Sequence, residues 1–359
     1  MHHGPSHHGP DHLSGSAYSP VTAPGRELHA LGYAEDPIAR PLTYPGRRPP
    51  GSGLLVDGCF LGMRAASAPL VVRPPARPDP AADAATRVAS DAPTDVAHPR
   101  ATAAAPEAAA GTAVHDAGSA VRPAAQPPPG DWLIDASAVP PHVFGGPEIP
   151  LDDALRACGR PVMAERRPVL AIGSNASPAQ LVRKLARWTR VVVPMTYARV
   201  SGLTAGASAH VSRPGYVPAV PVLSPGASTE LIVLWLDDEQ LTAVDRTEPN
   251  YHRTRLPASV TAELPGRGPF ICDLYAGRHG CLTGEDGAPI GLAGQPELLT
   301  GLLAASPRLA RLTGARTAEE FVARARADAR LRDGVRRLWR HEGVVLDQPE
   351  LTARRPAAP

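Results

Sequence analysis

Pro168-Val169-Leu170-Ala171-Ile172-Gly173-Ser174-Asn175-Ala176-Ser177-Pro178, running on into Ala179-Gln180-Leu181-Val182-Arg183-Lys184-Leu185, reads as a strand, a tight turn and a helix. Val169 to Ile172 is a short continuous apolar run of buried-strand type. Gly173 permits backbone angles that other residues resist, Ser177 suits a helix N-cap, and Pro178 suits the first helical position. Such a turn at a helix N-terminus directs unpaired N–H groups of Gly173, Ser174 and Asn175 outward, where they suit a carboxylate or a developing oxyanion.

Outward from this unit the composition is uneven. Of the 43 prolines, 21 fall in residues 1–130, and no Phe, Trp or Tyr lies between Leu61 and Asp131. That half offers little apolar area to offset ordering entropy. Residues 1–130 are therefore expected to form a disordered arm rich in Pro, Ala and His, residues 131–345 a single folded domain, and residues 346–359 a flexible tail. His2, His3, His7, His8 and His12 crowd the start of the arm, and Pro127-Pro128-Pro129 lies near its end. Tracts of this kind bind metals opportunistically or form polyproline helices, but they are also ordinary linker composition and name no protein partner for the arm.

The net charge is +2, with acidic and basic side chains mixed along most of the chain, which is not the footprint of a nucleic-acid binder. Lysine occurs once, at Lys184, against 36 arginines. Together with abundant Ala, Pro and Gly this reads as a bias toward GC-rich codons. Cys59, Cys158, Cys272 and Cys281 form no CxxC pair, which argues against a disulfide framework or a structural zinc and fits a reducing cytoplasm. The N-terminus lacks the pattern of a secretory signal. Gly53 to Val72, interrupted by Asp57 and Arg64, falls short of a membrane span.

Within the expected domain, alternating and apolar runs predict strands at Arg190–Val200, Ala207–Ser212, Val217–Leu223 and Glu230–Leu236. Gly202, Gly206, Arg213-Pro214-Gly215 and Ser224-Pro225-Gly226 punctuate them. Asp237 or Asp238 caps a helix that stops at Glu248-Pro249, because the residue before proline disfavours helix. Strands follow at Tyr251–Val260 and Phe270–Tyr275, with a hairpin turn at Gly284-Glu285-Asp286-Gly287. A helix over Pro296–Ala305 and a longer one opened by Thr317-Ala318-Glu319-Glu320 close the domain. The expected fold class is α+β: a small, mixed, mostly antiparallel, barrel-like sheet with flanking helices.

The chemistry-bearing features are the Gly173-Ser174-Asn175 turn after a buried strand, the strand ending Leu234-Trp235-Leu236, and the stretch Asp245-Arg246-Thr247-Glu248-Pro249-Asn250-Tyr251-His252-Arg253. In this order they resemble the gamma-glutamylcyclotransferase family and its avirulence-induced plant relatives, over roughly Val169 to Leu292. Gly173, Ser174 and Asn175 match the first motif of that family, and Glu248, Tyr251 and Arg253 the second. Ile172 stands where the family usually carries an aromatic residue, and Pro249 where glycine often follows the glutamate.

The resemblance implies an intramolecular aminolysis without cofactor or metal. A small gamma-glutamyl compound is cyclised to 5-oxoproline, with Glu248 as general base and Gly173, Ser174, Asn175, Tyr251 and Arg253 binding the substrate. It also predicts that Glu248 lies in a cleft rather than in bulk water. Read as residues alone, Glu248 is a solvated glutamate at a helix end, while Tyr251 is equally a core tyrosine and Arg253 equally a surface arginine. The alternative function is a non-catalytic small-ligand-binding or interaction module on the same fold.

Other chemistries fit less well. Ile172-Gly173-Ser174-Asn175-Ala176 lacks the second glycine of a hydrolase elbow. His210, His252 and His279 have no metal-ligand spacing. Gly277 to Gly294 contains neither a phosphate loop nor a dinucleotide fingerprint.

Overall fold

The strand of the opening motif sits inside a sheet of eleven strands. In the computed structural model, which describes residues 36–66, 131–137 and 147–352, the strands are β1 (Gly53–Val56), β2 (Cys59–Ala65), β3 (Trp132–Asp135), β4 (Glu148–Pro150), β5 (Arg167–Ala171), β6 (Val192–Ala207), β7 (Ala219–Leu236), β8 (Tyr251–Arg255), β9 (Thr261–Leu264), β10 (Gly268–Phe270) and β11 (Asp273–Gly277). They run in the order β4-β3-β2-β1-β6-β7-β5-β11-β8, with β9 on β6 and β10 on β9. A separate pair joins β12 (Cys281–Leu282) to β13 (Val345–Leu346).

Every pairing between these strands is antiparallel except that of β5 with β11. The mixed, mostly antiparallel α+β class is thus observed. The expected barrel-like closure is not, because no pairing among the described residues joins β4 to β8 and the path stays open.

Eight helices accompany the sheet among the described residues: α1 (Leu151–Ala157), α2 (Pro178–Leu185), α3 (Asp238–Arg246), α4 (Gln295–Ala305), α5 (Pro307–Thr313), α6 (Ala318–Ala327), α7 (Ala329–His341) and α8 (Pro349–Thr352). None of the helices among these residues is long and apolar enough to cross a membrane. The apolar run of β5 is explained by burial on both faces. Val169 and Ala171 pack with Leu181 and Leu185 of α2 and with Leu241 and Val244 of α3. Leu170 and Ile172 pack on the other side with Leu54, Val233, Trp235 and Leu274. Helices α4 to α7 surround a further core built on Phe321, Val335 and Trp339.

Three expectations are corrected. First, part of the stretch assigned to a disordered arm belongs to the sheet: β1 lies along β6, with Gly53 opposite Met195, and β2 extends the sheet to β3. Leu54, Leu55, Phe60 and Leu61 are buried, and Asp57 and Gly58, both at positive φ, make the tight hairpin turn that a short Asp-Gly link favours. Residues 1–35 and 67–130 of the arm, with the histidine tract and the Pro127-Pro128-Pro129 run, lie outside the described residues. Second, the expected flexible tail begins inside structure, since α8 buries Leu351 and Gln348 bonds both Leu223 N–H and the Pro221 carbonyl.

Third, element boundaries shift. The expected strands at Val217–Leu223 and Glu230–Leu236 are one strand, β7. Ser224-Pro225-Gly226 does not end it but forms an irregularity opposite Gly202, both glycines having positive φ; a proline lacking an N–H is tolerated where the ladder is interrupted. The long helix expected after Thr317 is two helices, α6 and α7, because Asp328 breaks the first and caps the second with a bond from Arg330 N–H.

Candidate active site

Topology assembles the site. Strand β5 runs parallel to β11, and β8 antiparallel to it, so the C-terminal ends of β5 and β11 and the N-terminal end of β8 lie at one end of the sheet. The turn after β5 and Glu248, three residues before β8, therefore meet there. The turn is a single 3-10 stretch, Ser174–Ala176, leading through Ser177 into α2 with Pro178 at its first position. Of the two caps expected before α3 it is Asp237 that serves, and it forms a capping box: Asp237 accepts from Gln240 N–H at 2.9 Å while the Gln240 side chain answers the Asp237 N–H. At its other end α3 stops at Arg246, and Glu248 bridges to β8 through its backbone carbonyl, which accepts from Tyr251 N–H at 3.1 Å.

The turn and Glu248 line one cavity of about 820 Å³. Asn175 Nδ2 donates to Glu248 Oε1 at 3.0 Å, and the Glu248 side chain is only 11 % exposed. A third group completes a closed set of bonds. Lys184 Nζ, on α2, donates to Glu248 Oε1 at 2.5 Å and to Asn175 Oδ1 at 2.6 Å. The orientation of the Asn175 amide follows from this set, since an ammonium only donates and a carboxylate only accepts.

Four tyrosines enclose the carboxylate. Tyr251, singled out in the sequence, lines the cavity but donates to the Ala219 carbonyl at 2.8 Å rather than to Glu248. Tyr275 donates to Asp245 at 2.7 Å. Tyr44 and Tyr216 stack at 4.2 Å, and the Tyr44 hydroxyl accepts from Ala219 N–H at 2.8 Å. Burial, first of all, raises each of these phenols, Tyr216 to about 12, and the Glu248 charge adds in the same sense. They stand as neutral hydroxyls beside the Glu248 carboxylate, Tyr275 turning its own to Asp245.

Two further cavity residues carry buried nitrogens without a hydrogen-bond partner among the described residues, Gln180 Nε2 and His210 Nε2. His210 Nδ1 lies 2.7 Å from Ser208 Oγ. Burial, reinforced by His279 and Arg336, pushes its imidazole down to about 3, so the ring is neutral. Buried polar atoms of this kind lose about 1–3 kcal/mol when unpaired, which a bound polar ligand recovers.

Arg253 is not brought to the cavity. It lies opposite Tyr275 in the β8–β11 pair, and its guanidinium is taken by Asp273 at 2.6 Å and Asp245 at 3.2 Å. The Ser174 amide is likewise not wholly free, because it faces the Tyr44 oxygen. Sequence reasoning missed Tyr44, Tyr216, Gln180, His210 and Tyr275 as site residues and read Lys184 as composition alone. Only Lys184 carried a visible signal, as the single lysine of the chain. Among the described residues no group of three or more His, Cys, Asp and Glu side chains is placed to hold a metal ion.

No family model matches the chain, and no curated protein sequence matches it. Solved structures do overlap it in part. A solution structure of one Arabidopsis thaliana protein matches 31 % of this chain at 18 % identity and a TM-score of 0.25, and the match spans 62 % of that protein's length. A second from the same plant matches 39 % of this chain and 85 % of its own, at 16 % identity and a TM-score of 0.27. A structure titled gamma-glutamyl cyclotransferase matches 48 % of this chain and 99 % of its own, at 13 % identity and a TM-score of 0.29. At such scores and identities these likenesses carry no function over to this chain.

Proposed function

We propose that this chain cyclises the gamma-glutamyl group of a small gamma-glutamyl compound to 5-oxoproline and releases an amine or amino acid. The observation that carries the reading is the 3.0 Å bond between Asn175 and Glu248, which joins a turn and a carboxylate 73 positions apart on the wall of one cavity.

In this reaction the α-amino nitrogen attacks the γ-carbonyl carbon of its own molecule. A new C–N bond closes the five-membered ring, and the bond to the leaving nitrogen breaks. Attacker and target already share one molecule, so holding the bent conformer supplies an effective molarity of about 10^5 M or more. The proton of the α-ammonium still needs an acceptor. Both bonds that Glu248 receives from Asn175 and Lys184 fall on Oε1, which leaves Oε2 to take that proton and pass it to the departing nitrogen, a contribution of about 10^2 to 10^4. The Gly173 to Asn175 turn, at the head of α2, suits the substrate carboxylate or the oxyanion. The neutral tyrosines wall off water around the reacting groups.

The test uses the full chain, wild type beside Glu248→Gln, with gamma-glutamyl amino acids, gamma-glutamyl amines and glutathione, and follows 5-oxoproline by mass spectrometry. Wild type is expected to form product and the variant to lose at least about 10^2 in rate. A folded wild-type protein that forms no 5-oxoproline from any of them overturns the reading.

A further inference from the structure

Thirty-six of the 37 Lys and Arg positions in this chain are arginine. Wherever a surface cation suffices, this sequence supplies a guanidinium. The one exception, Lys184, is neither at the surface nor alone: it is 18 % exposed and held by Glu248 and Asn175. An ammonium is a compact charge whose three donors point freely, whereas a guanidinium is a flat fork that engages both oxygens of a carboxylate. The difference matters for which oxygen of Glu248 is left over.

We propose that Lys184 is the positioning residue for Glu248, and that the role requires an ammonium. Lys184 and Asn175 converge on the same oxygen, Oε1, and Lys184 also fixes the Asn175 amide. Two donors fill the in-plane lone pairs of Oε1, so the carboxylate cannot turn without breaking both bonds, and Oε2 is the proton acceptor. An arginine at this place would span Oε1 and Oε2 together and cover the oxygen the reaction needs. The helix supplies the reach: Lys184 lies in the last turn of α2, one turn beyond Gln180 on the same face, and both line the cavity.

This inference rests on the cyclisation reading for its kinetic arm, and a second arm does not. In the kinetic arm, Lys184→Arg and Lys184→Met are expected to lose about 10^2-fold or more in kcat with KM within about threefold. Added methylammonium is expected to restore part of the kcat of Lys184→Ala, while added guanidinium does not. A Lys184→Arg protein with wild-type kcat, or a Lys184→Ala protein that methylammonium leaves unchanged, overturns the role. In the second arm the folded full chain is acylated with an amine-selective reagent, and the Lys184 peptide is resolved from the N-terminal amine by mass. An ammonium clamped between two oxygens is withheld from the reagent, so Glu248→Ala is expected to speed acylation of Lys184 several-fold. Equal rates in the two proteins overturn the pairing. If wild type makes no 5-oxoproline, the cyclisation reading and the positioning role fall together, and the acylation rates still decide whether Lys184 and Glu248 are paired.

Discussion

A Cβ placed on Gly173 would fall 2.4 Å from the Tyr44 hydroxyl oxygen and 3.0 Å from the Ala219 Cβ. The tyrosine cannot simply step aside, since its oxygen holds the Ala219 N–H and its ring lies on Tyr216. Gly173→Ala is therefore expected to destabilise the protein by about 1–3 kcal/mol, the usual cost of overpacking, and to displace the turn that carries Asn175. A urea titration checks it, and an unchanged midpoint would mean that the contact is soft. At this scale the sequence was half legible. Gly173 and Glu248 were recognisable because a strand-turn-helix and a helix stop are local patterns. Tyr44 was not: it lies 129 positions before Gly173 in a proline-rich context, and nothing local announces a contact that only the fold creates. Arg253 was recognisable as a candidate, yet Asp245 and Asp273 claim it, and which charge finds which is again a property of the sheet.

At the scale of elements, the β1–β2 hairpin was overlooked because its surroundings were read by composition. Its own signals were present: apolar runs on either side of Asp57-Gly58, the link most favoured in tight hairpins. The helix caps at Asp237 and Thr317 were legible because each is a four-residue pattern with its own hydrogen bonds, although at Thr317 the Glu320 carboxylate turns to the Arg316 N–H and does not close the box. The hairpin covers one edge of β6 and contributes Leu54 and Leu55 to cores on the two faces of the sheet. A protein cut to residues 131–359 loses these residues and the Tyr44 wall of the cavity, and leaves the Val192–Met195 edge unpaired, a template for aggregation. Circular dichroism and light scattering on residues 36–359 beside 131–359 are expected to show a cooperative fold in the first and a partly unfolded, self-associating chain in the second. A monomeric, cooperatively melting 131–359 would show that the hairpin is dispensable.

For the molecule as a whole, acid is the expected weakness. Burial holds the His210 imidazole near 3, below its ordinary 6.5, and His279 is lowered as well. Between those two pH values the unfolded chain binds a proton that the folded one refuses. Stability is then full above about pH 6.5 and declines as the pH falls toward 3, by up to about 1.4 kcal/mol per pH unit for one such group. His210→Gln removes that group, so the difference in melting temperature between the two proteins is expected to move in favour of the variant as pH falls from 7.5 to 4.5. A pH-independent difference would mean that His210 takes up its proton in the fold as readily as in the unfolded chain. The open path of the sheet has a consequence of another kind, in time rather than in energy. Gly53 pairs with Met195, so during synthesis the hairpin emerges and waits for a partner strand still being translated. At about 5–20 residues per second that interval is on the order of ten seconds, during which Leu54 and Leu55 have no β6 to lie along. On the ribosome, the first strands of this sheet to be made stand by while β3, β4 and β5 are translated, until β6 offers them its edge.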